Sequence, residues 1–225
     1  LVIGFVLLNY LMFSKLFKRG KLDEDFGVKD LTLTQYKPYI PLVKDSIAFF
    51  NTISKQTLVI KSFDGLSLYG DYFNNNSDTT IIFFHGYNTR PLNNFALVAK
   101  TLFEEGYNIL LVTQRSHGIS EGKYITFGIN ERKDVISWCN KINFDFNPKN
   151  IIIYGLSMGC ATVAMSLELD LPSNVKAAVL DCGFKSIPDL LDHLSMTAMK
   201  RKSKLALKMM ELFAKLFGKF DIYAS

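Results

Sequence analysis

A serine between two glycines is the pattern in this sequence best suited to covalent chemistry. Residues 150–166 read NIIIYGLSMGCATVAMS, in which an apolar run ends at Gly155, Ser157 and Gly159 follow, and small residues come next. A strand that enters a helix through G-x-S-x-G forms a nucleophile elbow, which exposes the serine Oγ at the positive end of the helix. A side chain at either glycine would collide with the neighbouring strand or helix. The pattern therefore predicts Ser157 as a nucleophile.

A second pattern could stabilise the negative charge that such a nucleophile creates. The apolar run IIFFHGY ends in His85, Gly86 and Tyr87. An oxyanion hole takes one backbone N–H from the residue after the nucleophile, here Met158, and another from the loop after the third strand, here predicted to be Tyr87. His85, and His117 in QRSHGISEG, are predicted to order their loops by hydrogen bonds rather than to act as bases.

The elements around these motifs predict an α/β domain. TLVIKS and LSLYGDYF lie on either side of Asp64-Gly65, which is a hairpin signal. Four apolar runs then alternate with helical patterns, and Gly106 and Asn130 are candidate helix caps. Continuous apolar strands indicate a mostly parallel sheet that is covered by helices on both faces. The alternation predicts a core over residues 56–186, followed by a helical cap region over 187–225.

The first 13 residues, LVIGFVLLNYLMF, precede a basic stretch, SKLFKRGK. Thirteen apolar residues are too few to cross a bilayer alone, which takes roughly 20. We expect residues 1–20 to be part of an N-terminal membrane anchor, with a signal segment or a helix of the domain as alternatives. This predicts a membrane-anchored protein of the bacterial cell membrane, on an unassigned side. Residues 21–55 are expected to be a linker and an N-terminal helix, with YKPYIPL extended and the helix over 45–55.

Composition excludes several function classes. The 225 residues carry a net charge of +5 without a basic stripe, so nucleic acid is not an expected partner. The cysteines Cys139, Cys160 and Cys182 lack metal-ligand spacing and are expected to be buried free thiols. No cofactor or metal is predicted.

Four stretches of the chain, taken in order, resemble the α/β-hydrolase superfamily, in particular bacterial membrane-anchored serine hydrolases of the esterase, lipase or peptidase type. They are FFHGY, QRSHGISEGKYITFGINERKDVISW, IIIYGLSMGCATV and VKAAVLDCGFKS. The resemblance implies a Ser157 acyl-enzyme formed from an ester, thioester or amide, and a small acyl substrate, which could be a lipid. The chain departs from the usual D-x-R-G-H-G-x-S loop at Thr113 and Ser116.

The remaining catalytic residues are harder to assign. The superfamily order is serine, acid, histidine, and His193 is the only histidine after Ser157. His193 and Asp181 are weak candidates for base and acid, and Asp189 and Asp192 read as an exposed helix turn. We therefore expect the acid and histidine to lie beyond residue 225, together with missing C-terminal strands. As given, the chain is expected to be inactive, with an unpaired sheet edge beside Val179.

The basic and apolar tail leaves two interpretations open. SMTAMKRKSKLALKMMELFAKLFGKF could form a pair of cap helices or a surface that docks on lipid. For the whole protein, a serine hydrolase is preferred over a non-catalytic binding protein of the same fold, and over a thiol-dependent or transferase variant.

Overall fold

The computed structural model describes residues 2–20, 37–200 and 202–224, apart from the side chains of 198 and 199. Its helices and strands alternate along most of the chain. In order, the elements are α1 (Val2–Phe17), a 3₁₀ turn (Lys37–Tyr39), α2 (Ile40–Thr52), β1 (Gln56–Lys61), β2 (Ser67–Phe73), β3 (Thr79–Phe84), α3 (Pro91–Glu104), β4 (Asn108–Thr113), α4 (Glu131–Phe146), β5 (Asn150–Leu156), α5 (Met158–Ser166), β6 (Val175–Asp181), α6 (Ile187–Met199), α7 (Lys204–Phe213) and a π-helical turn (Ala214–Gly218).

The six strands form one mixed sheet in the order β1-β2-β4-β3-β5-β6. β1 and β2 form the predicted antiparallel hairpin, with Gly65 in its loop at a φ of +85° that favours glycine. β2 also runs antiparallel to β4, whereas the pairs β3–β4, β3–β5 and β5–β6 are parallel. The carboxyl ends of the parallel strands consequently meet at one edge, where the predicted chemistry lies.

Apolar layers cover both faces of the sheet, as the continuous strand patterns predicted. On one face, Val135 and Trp138 of α4 and Val163 of α5 pack against β3 and β4. On the other face, Phe50 of α2 and Phe95 of α3 pack against the opposite sides of the same strands. The central strands are buried on both sides and hold the loops at their carboxyl ends in fixed positions.

The last strand, β6, lies at the edge of the sheet. Among the described residues it pairs with β5 alone. Its outer residues are poorly covered, and the side chains of Val179 and Leu180 are 39% and 48% exposed. This matches the expectation of an apolar edge beside Val179.

The membrane anchor predicted for the N-terminus is wrong. α1 is a helix of 16 residues whose Phe13 and Phe17 are fully buried in the cluster that also contains Phe213 of α7. Its end is joined to a loop by the hydrogen bond from the Ile125 N–H to the Phe17 carbonyl, 2.7 Å long. Across the described ranges, no helix combines the length and the apolar character that a bilayer crossing needs.

Three local predictions also need correction. Residues 37–52 form the 3₁₀ turn and α2, so YKPYIPL is helical over most of its length rather than extended, with Pro41 at the start of α2. Asn130 precedes α4 but makes no capping hydrogen bond with its side chain. Cys182 is exposed, whereas Cys139 and Cys160 are buried free thiols as expected. The linker predicted at 21–36 lies outside the described residues.

Candidate active site

Ser157 occupies the strained turn that the sequence predicts. It lies between β5 and α5 with φ 54° and ψ −111°, a conformation that non-glycine residues rarely adopt. Its backbone N–H donates to the Asp181 carbonyl at the end of β6, at 2.8 Å. The residue is exposed, and its side chain makes no capping hydrogen bond. The residue is therefore accessible from solvent.

The two flanking glycines allow this turn to pack closely. A Cβ added to Gly159 would lie 1.8 Å from the Phe84 carbonyl oxygen, and one added to Gly155 would lie 2.1 Å from the Gly159 carbonyl oxygen. Both distances fall far inside van der Waals contact, and both neighbours are backbone atoms. The elbow therefore lies directly on the end of β3, as the sequence analysis expected.

The loop after β3 runs beside Ser157. A Cβ built on Gly86 would lie 3.5 Å from the Ser157 Cβ. The Gly86 N–H donates to the Asn94 side chain at 2.8 Å, which fixes the loop to α3. Within the described part of the chain, the backbone N–H groups of Tyr87 and Met158 have no hydrogen-bond acceptor. These are the two donors that the sequence predicts for the oxyanion hole, and their role stays a prediction.

His85 supports this loop through both ring nitrogens. Its Nδ1 lies 2.7 Å from the Gly86 carbonyl oxygen, and its Nε2 accepts from the Gln114 N–H at 3.1 Å. The Gln114 side chain donates to the His85 carbonyl and accepts from the Thr162 hydroxyl, which ties the loop to α5. Burial is the main reason why the pKa of His85 falls to about 3, so the ring is neutral.

His117 is held in the same way. Its Nδ1 lies 2.8 Å from the Arg115 carbonyl oxygen, and its Nε2 accepts from the Asn88 N–H at 3.1 Å. Burial lowers the pKa of this ring as well. Because the hydrogen bonds occupy both nitrogens of His85 and of His117, neither ring has a lone pair free to take a proton from Ser157. Both histidines order loops, as the sequence predicted.

The unusual loop after β4 is fixed by a buried arginine. Arg115 donates two hydrogen bonds to Asp134 of α4, at 2.6 and 2.7 Å, and reaches Asp64 of the β1–β2 loop at 2.9 Å. Burial raises the pKa of Asp134 to about 6, against the lowering effect of Arg115. Ser116 takes a φ of 62°, and its hydroxyl donates to the Tyr124 carbonyl. The departures from the usual loop sequence thus leave a well-connected loop.

The weak candidates for base and acid do not assemble with Ser157. His193 is exposed on α6, and no hydrogen bond joins it to Ser157 among the residues described. The Asp181 carboxylate accepts from the Tyr154 hydroxyl at 3.2 Å, while its carbonyl holds the elbow. Asp189 contacts the Ser186 hydroxyl at the start of α6, and Asp192 pairs with Lys202. These contacts are structural.

Two residues that hold the site were missed by the sequence analysis. Asn94 and Gln114 both bind the loop that carries Gly86 and Tyr87, from α3 and from the end of β4. Asn94 lies within an ordinary amphipathic helix pattern, so no local signal marks it. Gln114 follows an apolar strand, and that position at the carboxyl edge was the available signal.

Comparison with known families shows to which protein family the chain belongs. Residues 75–221, well over half of the chain, match the family described as serine aminopeptidase, S33. The chain belongs to this family. It is 26% identical over 220 residues to the uncharacterized protein YqkD of Bacillus subtilis, and 30% identical over 154 residues to the uncharacterized protein R595 of Acanthamoeba polyphaga mimivirus. These alignments cover 97% and 62% of this chain, but 68% of YqkD and 50% of R595.

Solved structures agree with the family assignment. Two crystal forms of the Pyrococcus furiosus esterase Pf2001 superpose with TM-scores of 0.59 and 0.58, at 24% and 28% sequence identity. Each match covers 80% of this chain and 66% of the esterase chain. The predicted α/β-hydrolase fold, a mostly parallel six-stranded sheet flanked by helices, is confirmed. The chain is thus a member of a hydrolase family, and it spans about two thirds of the esterase.

Proposed function

We propose that this protein is a serine hydrolase that cleaves an acyl ester, thioester or amide through an acyl-enzyme on Ser157. The observation that carries the proposal is the elbow, which holds an exposed serine at a positive φ beside two backbone N–H groups that have no acceptor among the described residues. A residue kept in such a strained conformation commonly has a functional role. Membership in the S33 family and similarity to an esterase support hydrolysis.

In the proposed reaction, the Ser157 Oγ attacks the carbonyl carbon of the substrate, and its proton passes to a general base. The N–H groups of Tyr87 and Met158 stabilise the oxyanion. The leaving group departs with a proton, and water then hydrolyses the acyl-enzyme to release the acid and restore the hydroxyl. Since His85 and His117 have no free lone pair, the base in this proposal is a different histidine. The expectation that base and acid lie beyond residue 225 is kept, with His193 as the alternative within the chain.

Labelling with a fluorophosphonate probe tests the proposal. The full-length protein should be labelled, and Ser157→Ala should abolish labelling, whereas Ser54→Ala, which alters an exposed serine after α2, should label like the wild type. His193→Gln distinguishes the two sources of the base, because it removes labelling only if His193 is the base. Labelling that persists in Ser157→Ala would refute the nucleophile. A folded protein that is never labelled would favour a non-catalytic binding protein.

A further inference from the structure

A cavity of about 1,070 Å³ lies between α2, the first turn of α3 and the loop after β4. Arg19 and Gly20, which follow α1, also line it. Ser157, Met158 and Tyr87 are not among the described residues in its walls, so the cavity is distinct from the candidate active site. Small-molecule sites typically occupy about 300–1,000 Å³. The cavity is therefore large enough for an organic ligand.

The walls of this cavity carry an excess of positive charge. Among the described residues, its charged lining consists of one carboxylate and four cations, which are Asp71, Arg19, Lys44, Lys55 and Arg90. Lys55 is neutralised, because it pairs with Asp71 at 2.6 Å. Arg19 donates to two backbone carbonyls of the loop after β4, which carry no charge. Within the described ranges, Lys44 and Arg90 have no carboxylate partner, so the walls favour an anion.

The amino-terminal end of α3 adds to this positive potential. Arg90, Pro91 and Leu92 at that end all line the cavity. The first turn of this 14-residue helix carries no acidic side chain, and Arg90 provides no side-chain cap. In the part of the chain that the structure describes, the Leu92 N–H has no hydrogen-bond acceptor. Unpaired N–H groups and the helix dipole together favour a negatively charged ligand.

A buried hydroxyl in the same wall points to a ligand independently of the charges. Thr89, directly before Arg90, lines the cavity and is only 4% exposed. Its Oγ1 is buried and has no hydrogen-bond partner among the residues described. In the described part of this wall it is the one buried side-chain polar atom left unpaired. Such a hydroxyl is unfavourable, and a ligand oxygen would supply the missing acceptor.

We propose that this cavity binds a small organic molecule through a phosphate group, which Arg90 and the Thr89 hydroxyl hold at the end of α3. A phosphate monoester carries a charge of about −1.5 to −2 at pH 7 and three acceptor oxygens. It therefore matches two cations, Lys44 and Arg90, and two donors, the Thr89 hydroxyl and the Leu92 N–H, better than a single carboxylate does. Ile47 and Leu92 provide an apolar wall for the organic part. The site goes beyond the proposed function, because it does not use Ser157.

Titration calorimetry in a phosphate-free buffer of low ionic strength tests the site with inorganic phosphate and phenyl phosphate as probes. The full-length protein should bind both, and phenyl phosphate about tenfold more tightly, because its ring contacts the apolar wall. Arg90→Gln should weaken phenyl phosphate binding about tenfold or more, and Lys44→Gln about threefold. Lys100→Gln is the matched control, since it removes a cation of α3 that is not among the described lining residues, and it should bind like the wild type.

Thr89→Val removes the buried hydroxyl and keeps a side chain of similar size. It should weaken phenyl phosphate binding about fivefold. Because the hydroxyl is unpaired in the free protein, the urea midpoint should not fall, whereas a hydroxyl with a purely structural role would lower it. Thr101→Val, which alters an exposed threonine of α3, is the control and should not change binding. Ser157→Ala should also bind like the wild type, even if the protein hydrolyses no ester and the proposed function fails.

The outcomes separate the possible ligands. Phenyl phosphate binding that weakens in Arg90→Gln and Thr89→Val but not in the controls supports the inference, with circular dichroism verifying that each variant is folded. Equal affinity for the two probes would overturn the organic part and leave inorganic phosphate as the ligand. The inference is overturned if the folded protein binds neither probe, if both cavity variants bind like the wild type, or if Ser157→Ala abolishes binding.

Discussion

Replacing Gly159 by alanine should destabilise the protein, although the same change normally stabilises a helix. Gly159 lies in the first turn of α5 and has no positive φ, so alanine is favoured there by up to ~1 kcal/mol on helix propensity. The added Cβ would lie 1.8 Å from the Phe84 carbonyl oxygen and 2.8 Å from the His85 carbonyl oxygen. Both are backbone atoms of β3 and the loop after it, so no side chain can rotate away.

The magnitude follows from the movement that the contact demands. The contact with Phe84 must lengthen from 1.8 Å to about 3.0 Å, so α5 and the end of β3 must separate by roughly 1.2 Å. Inserting a methyl group into packed backbone costs about 1–3 kcal/mol, and the absence of a flexible neighbour places this site at the upper end. After the gain in propensity we expect a net loss of about 2 kcal/mol, or ~4–8 °C in Tm for a chain of this size.

Gly4→Ala is the matched control for this prediction. Gly4 lies in α1, and nothing stands within 4 Å of the position that its Cβ would take. This variant should raise the free energy of unfolding by up to ~1 kcal/mol. Urea denaturation followed by circular dichroism compares the two variants with the wild type, and fluorophosphonate labelling reports the site. A Gly159→Ala protein as stable as the wild type would show that the elbow does not need close packing on β3.

Two further predictions concern the loop that carries Tyr87. The buried His85 has a pKa of about 3, against about 6.5 in the unfolded chain, so the unfolded state takes up a proton first as the pH falls. The free energy of unfolding should therefore drop by about 3 kcal/mol between pH 7 and 4.5. Urea midpoints across that range check this, and a His85→Gln variant with the same pH dependence would contradict it. Tyr87→Phe keeps the backbone N–H and the ring but loses the 2.9 Å hydrogen bond from the Tyr87 hydroxyl to the Leu16 carbonyl. It should lower the free energy of unfolding by ~1 kcal/mol and slow the fluorophosphonate labelling of Ser157. Unchanged labelling would show that α1 does not help to position the loop that carries Tyr87.

The sheet and the elbow could be predicted because their signals are local. The apolar runs of β3, β4 and β5, the glycines around Ser157 and the Asp64-Gly65 turn each constrain the backbone within a few residues. The carboxyl edge of a parallel sheet then brings the loop with Tyr87 close to Ser157, without any further information.

The N-terminal helix could not be predicted correctly, because an apolar run does not reveal what it packs against. In α1, Phe13 and Phe17 are buried against α7 and the loop at 125–127, whereas Leu7 and Leu11 are each 55% exposed. Both sets are equally apolar in sequence. The partner surface on α7 lies almost 200 residues away along the chain, so only the folded structure shows which face is covered.

Different parts of the fold hold the two expected oxyanion donors, Met158 and Tyr87, in position. Met158 is positioned by the elbow, through the packing of Gly159 on β3 and the bond from the Ser157 N–H to Asp181 on β6. Tyr87 is positioned from elsewhere, by Asn94 of α3 through Gly86 and by α1 through its hydroxyl. Displacing α1 would therefore move one donor relative to Ser157 while the elbow stays in place. Since a displacement of about 1 Å can cost roughly 100-fold in rate, the proposed reaction should depend on a helix that lies far from Ser157 in sequence.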